Sequence, residues 1–171
     1  MPRDLAQKVL DRLDLNPGFP ERYLERAFQQ EPGFDERDRA FAIHLVQGVL
    51  RWRLRIDWII EKNLRFSFNK IAPPILNILR MGVYQIFFMD RVPDSAAVDQ
   101  AVKQAKSAGR RHVAGFVNGI LRNICRQKDQ IVFPPRETDL TGYLSVYYSY
   151  PMWLVKKWIR EQGANSTERL M

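Results

Sequence analysis

The chain has 171 residues, 46% of them hydrophobic, enough for one core of ordinary size and thin for two. Its 27 Lys and Arg against 19 Asp and Glu leave a net charge of +8, a balance that favours a polyanionic partner. The one cysteine, Cys125, excludes an internal disulfide, and with only two histidines it leaves no tetrahedral zinc set to assemble.

Leu5, Ala6, Val9, Leu10 and Leu13 recur at three and four and predict a first helix, stopped by Asn16-Pro17-Gly18. A brief second helix carries Tyr23, Leu24, Ala27 and Phe28 between Pro20 and Pro32-Gly33. Asp35 caps the third, whose wide stripe of Phe41, Ala42, Leu45, Val46, Val49 and Leu50 places it at the centre of the core. Ile56, Ile59, Ile60 and Leu64 mark a fourth helix. Pro73-Pro74 open a fifth, with Ile75, Ile78, Leu79, Gly82 and Ile86 inward. Asp94 or Ser95 caps a sixth, with Val98, Ala101, Val102 and Ala105 inward and Gly109 in its last turn. The seventh runs from about 111 to 127 on Val113, Phe116, Val117, Ile120, Leu121 and Ile124. No segment alternates with period two for long enough to make a sheet, so the expected fold class is all-α, a bundle of about seven helices.

Residues 131–138, with Pro134-Pro135, read as a linker, and two short helical patterns follow around 140–148 and 153–162. The last seven residues cap and start a helix that never gains a second turn, which reads as a piece of a longer protein. The expected division is 1–130 for the bundle and 131–171 for a linker and the start of a further part. The longest uncharged stretch, 140–155, contains Gly142 and Pro151 and falls short of a membrane span. With no apolar run of signal-peptide length at the N-terminus, a soluble, cytoplasmic protein with no membrane partner is expected.

The charge is unevenly spread. Residues 103–128 hold seven basic side chains and no acidic one, whereas 1–102 hold 15 basic and 14 acidic and 129–171 hold five of each. In that block Lys103, Lys106 and Arg110 lie opposite the apolar stripe of helix six. Arg111 and His112 fill the turn, and Arg122 and Arg126 share the polar side of helix seven. Like charges so confined repel one another unless an anion neutralises them, so this hairpin is the candidate contact for a polyanion. A second cluster, Arg51, Arg53 and Arg55 around Trp52, offers stacking chemistry, but Asp57 and Glu61 one turn on can pair with it.

Catalytic chemistry has no foothold in the sequence. Cys125 follows Leu121 by four and reads as a small core residue, His44 falls in the third helix and His112 in the basic turn. No phosphate loop, dinucleotide fingerprint or metal-ligand spacing occurs. Asn118 reads as an amide tying helix seven to a neighbouring backbone, with Gly115 and Gly119 letting another helix approach.

Three strings, RDRAFAIHLVQGVLR (37–51), ILRMGVYQIFFMDRVPDSAAVDQAV (78–102) and FVNGILRN (116–123), resemble the NusB-like domain. More closely, residues 3–160 resemble the N-terminal part of the Sun/Fmu family of ribosomal RNA small-subunit cytosine-C5 methyltransferases, YPMWLVKKW (150–158) being similar to the entry into their catalytic half. The resemblance implies two packed helical subdomains and RNA binding, with Arg3 at a position where NusB-like proteins carry arginine for RNA. It also implies ribosomal RNA and a C-terminal methyltransferase domain of the same chain as partners. S-adenosylmethionine is implied for that parent protein and no cofactor for these residues, because the glycine loop and Pro-Cys motif of the family would lie beyond Met171. An antitermination factor that binds RNA with a protein partner is the alternative. In a third reading the helices are a scaffold, and Tyr143, Tyr147, Tyr148, Tyr150, Trp153 and Trp158 form its docking surface.

Overall fold

Prolines and aspartates set where this chain enters its helices. In a computed structural model, which describes residues 1–107 and 111–171 except for the side chains of Arg111 and His112, prolines occupy the first turns of three helices. These are α1 (Pro2–Leu15), α2 (Pro20–Gln30) and α5 (Pro73–Phe88), where the missing N–H would have had no partner. The Asp35 carboxylate accepts from Asp38 N–H at 2.7 Å at the head of α3 (Glu36–Arg51). Only Trp52 separates α3 from α4 (Arg53–Lys62). A hairpin of α6 (Asp94–Ser107) and α7 (Arg111–Arg126) follows, then α8 (Leu140–Tyr148), α9 (Met152–Gln162) and α10 (Ala164–Leu170). Asp94 stands inside the first turn of α6 and not before it. The last helix runs for seven residues, more than the single turn its sequence suggested. Among the described residues there is no strand, and no helix is long and apolar enough to cross a membrane.

The centre of the bundle is α5, not the third helix. Every residue from Ile75 to Ile86 is buried, with α1, α3, α4, α6 and α7 all packed around them. In contrast α3 keeps a wet edge: His44 is exposed and shares a hydrogen bond of 3.0 Å with the Tyr84 hydroxyl. What disguises α5 is its polar content. Asn77, Arg80 and Gln85 interrupt its apolar pattern, yet each is buried to within 4% of complete and each must therefore find partners.

Arg80 donates from Nε and Nη2 to both oxygens of Asp57 on α4 at 2.7 and 2.8 Å, and from Nη1 to Asn77 Oδ1 at 2.9 Å. Asn77 Nδ2 donates to Asp11 and Asp14 on α1 at 2.8 and 2.9 Å, and Asp14 also accepts from Arg53 of α4 at 2.8 Å. Asp57 is therefore committed to Arg80 and does not neutralise the arginines around Trp52. Burial opposes the Asp14 carboxylate, but the bonds from Asn77 and Arg53 and the charges of Arg53 and Arg80 outweigh it and hold its pKa below the usual value. At Asp11 burial dominates and, with Asp14 beside it, pushes the carboxyl up despite the bond from Asn77.

Arg80→Met keeps the aliphatic stem but leaves the half-buried Asp57 carboxylate and the buried Asn77 amide oxygen without their donor, and should lower stability by about 1–3 kcal/mol in urea unfolding. The sign at Asp11 is opposite to that of a paired carboxylate. A raised folded-state pKa contributes stability below the unfolded value and loses it as pH rises through the folded one. Asp11→Asn should therefore gain on the wild type as the pH climbs past the ordinary carboxylate range, a trend that paired urea titrations at several pH values will reveal or exclude.

Candidate nucleic-acid interface

The hairpin is antiparallel, so residues distant in the basic block lie at opposite ends of it. Lys103 and Lys106 occupy the C-terminal half of α6, exposed, with no carboxylate within 4 Å among the described residues. Cations there also suit the negative end of the helix. Arg110 lies outside the described residues, and of Arg111 and His112 only the helical backbone is described. Gly109 is likewise outside.

At the other end, about 18 Å along the axis at 1.5 Å per residue, the setting changes. Arg122 donates from Nε to Asn118 Oδ1 at 2.9 Å and Arg126 from Nη2 to Asn123 Oδ1 at 3.2 Å. Both are exposed, but with Asp94, Asp99 and Cys125 they line a groove of 350 Å³. Lys128 faces Asp94 at 3.5 Å. The described cations thus divide into Lys103 and Lys106 on the second half of α6, and Arg122, Arg126 and Lys128, which meet the acidic start of that helix. Cys125 is half-buried against the core, and burial, with Asp94 adding to it, pushes its thiol up. Asn118 serves its own helix, not a neighbouring backbone, and Gly115 and Gly119 face open space with nothing within 4 Å of an added Cβ.

Arg3 is built into the fold. Its Nε donates to Gln85 Oε1 at 2.8 Å, its guanidinium lies 4.6 Å from the Phe41 ring centre, and burial lowers its pKa. One turn on, Gln7 Oε1 accepts from Gln104 of α6 at 3.3 Å, which brings the start of α1 beside the half of α6 that carries Lys103 and Lys106. The acids that shared its helix are partly withdrawn, since Asp11 and Asp14 turn into the Arg80 network.

Sequence reasoning missed an aromatic step beside the turn. Phe66, 44% exposed, meets Phe116 at 5.7 Å between ring centres, and the two line a groove of 260 Å³ with Lys70, Ile71, Ile75 and Val113. The run Arg65-Phe66-Ser67-Phe68 after the fourth helix was its only signal. The Arg51 cluster, by contrast, is consumed internally: Arg53 pairs with Asp14, while Arg51 and Arg55 donate to carbonyl oxygens of α8. Of the six C-terminal aromatics, Tyr143, Tyr147, Tyr148, Tyr150 and Trp158 pack on rings within the chain; Trp153 stands 68% exposed.

Residues 1–126 match the NusB family. The chain is 30% identical, over 98% of its length, to the probable ribosomal RNA small subunit methyltransferase B of Bacillus subtilis, and spans 37% of that protein. It is 34% identical to the transcription antitermination protein NusB of Trichlorobacter lovleyi, with 70% of this chain covering 84% of the relative. In a solved structure of the antitermination factors NusB and NusE with double-stranded RNA, the matching chain superposes with a TM-score of 0.68 at 28% identity, over 73% of this chain and 93% of that one.

Arg3 and the turn lysines should separate in a stability assay. Arg3→Ala leaves the buried Gln85 amide oxygen without its donor and should cost about 1–3 kcal/mol. Lys103→Ala and Lys106→Ala should stay within about 0.5 kcal/mol of wild type. Urea unfolding of the three variants measures both.

Proposed function

We propose that this chain, which belongs to the NusB family, holds structured ribosomal RNA by its phosphates, so that a methyltransferase domain joined after about residue 131 reaches one cytosine. The observation that carries this reading is the pair Lys103 and Lys106, exposed and without a carboxylate within reach among the described residues, next in sequence to Arg110 and Arg111. Charge left uncompensated on a helix end is stabilised by an incoming polyanion. Arg3 extends the cationic surface along α1, and Arg122 and Arg126 extend it along α7, more weakly because Asp94 and Asp99 share their groove. Phe66 and Phe116 offer a ring surface for an unpaired base beside the turn. Phosphate contacts position a strand without specifying it, so sequence choice belongs to the catalytic part. S-adenosylmethionine would be the methyl donor held by that part, a reading supported by the likeness to ribosomal RNA methyltransferases.

A second reading, an antitermination factor acting with a protein partner in the cytoplasm, is favoured by the 84% coverage of the NusB relative. Capture of NusE by this chain would support it.

If about four to six phosphates are neutralised, log K should fall against log salt with a slope of about −3 to −5. A flat salt dependence of binding to a ribosomal RNA hairpin would defeat the proposal. Changing Lys103, Lys106, Arg110 and Arg111 together to Glu should abolish that binding; retention would move the contact to Arg3 and the Phe66 surface.

A further inference from the structure

The C-terminal helices meet the bundle through contacts of an interface and not of a core. Leu144 and Val155 are fully buried yet lie outside the apolar cluster that unites α1 to α7, so α8 and α9 have a small core of their own. Between the two, arginine, tyrosine and tryptophan dominate, the side chains enriched where separate proteins bind.

The joint is a reciprocal capping of two helix ends. The last carbonyls of α8 have no partner within their helix, and Arg51 Nη1 donates to Tyr148 O at 2.8 Å while Arg55 Nη1 donates to Tyr147 O at 3.3 Å. In return, Ser149 Oγ accepts from Leu54 N–H at 3.0 Å in the first turn of α4, a helix whose own preceding residue, Trp52, supplies no side-chain cap. Ser149 itself sits in the left-handed region at φ 61° as the C-cap of α8, with Tyr150 N–H donating back to Ser145 O at 3.0 Å. Around Arg55 the rings of Tyr147, Phe133, Phe88 and Trp52 stand 4.4 to 5.7 Å from the guanidinium carbon. Trp58 Nε1 donates to Val132 O at 3.2 Å, so the irregular segment before Pro134-Pro135 is pinned as well.

We propose that the face formed by the α3–α4 junction and α4, with Arg51, Trp52, Arg55 and Trp58, is a protein-docking surface that residues 131–150 occupy in cis, closing it to a partner of the same chemistry. That chemistry is an extended strand with a phenylalanine ahead of prolines, followed by a tyrosine-bearing helix end. The family match ends at residue 126, so the fold shared across the family does not include the segment that covers this face. The inference is independent of RNA binding and fails or stands without it.

The test uses the full chain and a fluorescein-labelled peptide of residues 131–150 as the probe. Phe133→Ala with Tyr147→Ala weakens the cis segment and leaves the face intact. This variant should bind the peptide at least tenfold more tightly than wild type, and adding Arg55→Met should erase the gain. Equal binding by wild type and the double variant, or by neither, overturns the proposal. Hydrogen exchange guards against misfolding: the double variant should lose protection in α8 and keep it in α5. Loss in α5 as well would make the segment part of the bundle's own fold, which also overturns the proposal.

Discussion

One buried guanidinium decides which helices are neighbours. Arg80 projects from a helix enclosed on every side, where a lone charge would be prohibitively unfavourable, so the fold must deliver carboxylates to it. Asp57 arrives from α4 and Asp14 from α1, with Asn77 relaying between them. Apolar packing tolerates small slides between helices, whereas a two-pronged contact at 2.7 and 2.8 Å does not, so the network sets the register of three helices at once. Three aspartates meet two arginines in it, and Asp11, the carboxylate farthest from either guanidinium in the chain of bonds, is where the surplus negative charge is least tolerated.

Helix entrances were legible in the sequence because caps are local: Pro20, Asp35 and Pro73 act within one turn of themselves. The inward stripes of α1, α6 and α7 were legible because each keeps one wet face. The centrality of α5 was not, since Asn77, Arg80 and Gln85 look like surface residues until their partners are known, and the partners on other helices lie 23 to 82 positions away. Residues 131–138 have the composition of a linker, but composition does not reveal that Val132 and Phe133 are fastened to α4.

The candidate site was half legible for a geometric reason. Counting charge along the chain treats 103–128 as a unit, but folding the chain back on itself sets the end of α7 against the start of α6, where Asp94 and Asp99 wait. Lys103 and Lys106 stand exposed on the second half of α6 with no carboxylate within 4 Å among the described residues, whereas Arg122 and Arg126 share their groove with two acids. The Phe66 and Phe116 pair needed two elements brought together and had no periodic signature.

A hydrogen atom on Gly82 has a reach that its size conceals. A Cβ there would come within 2.7 Å of a Leu121 methyl, and the Leu121 side chain, or α7 with it, would have to shift. The same helix carries Arg111 at its head and Arg122 and Arg126 near its foot, while Arg3 is anchored to α5 through Gln85. The gap between the cations of the first helix and those of the seventh is thus gauged by a side chain that is missing, and the spacing a phosphate backbone would meet is written in the interior, not on the surface.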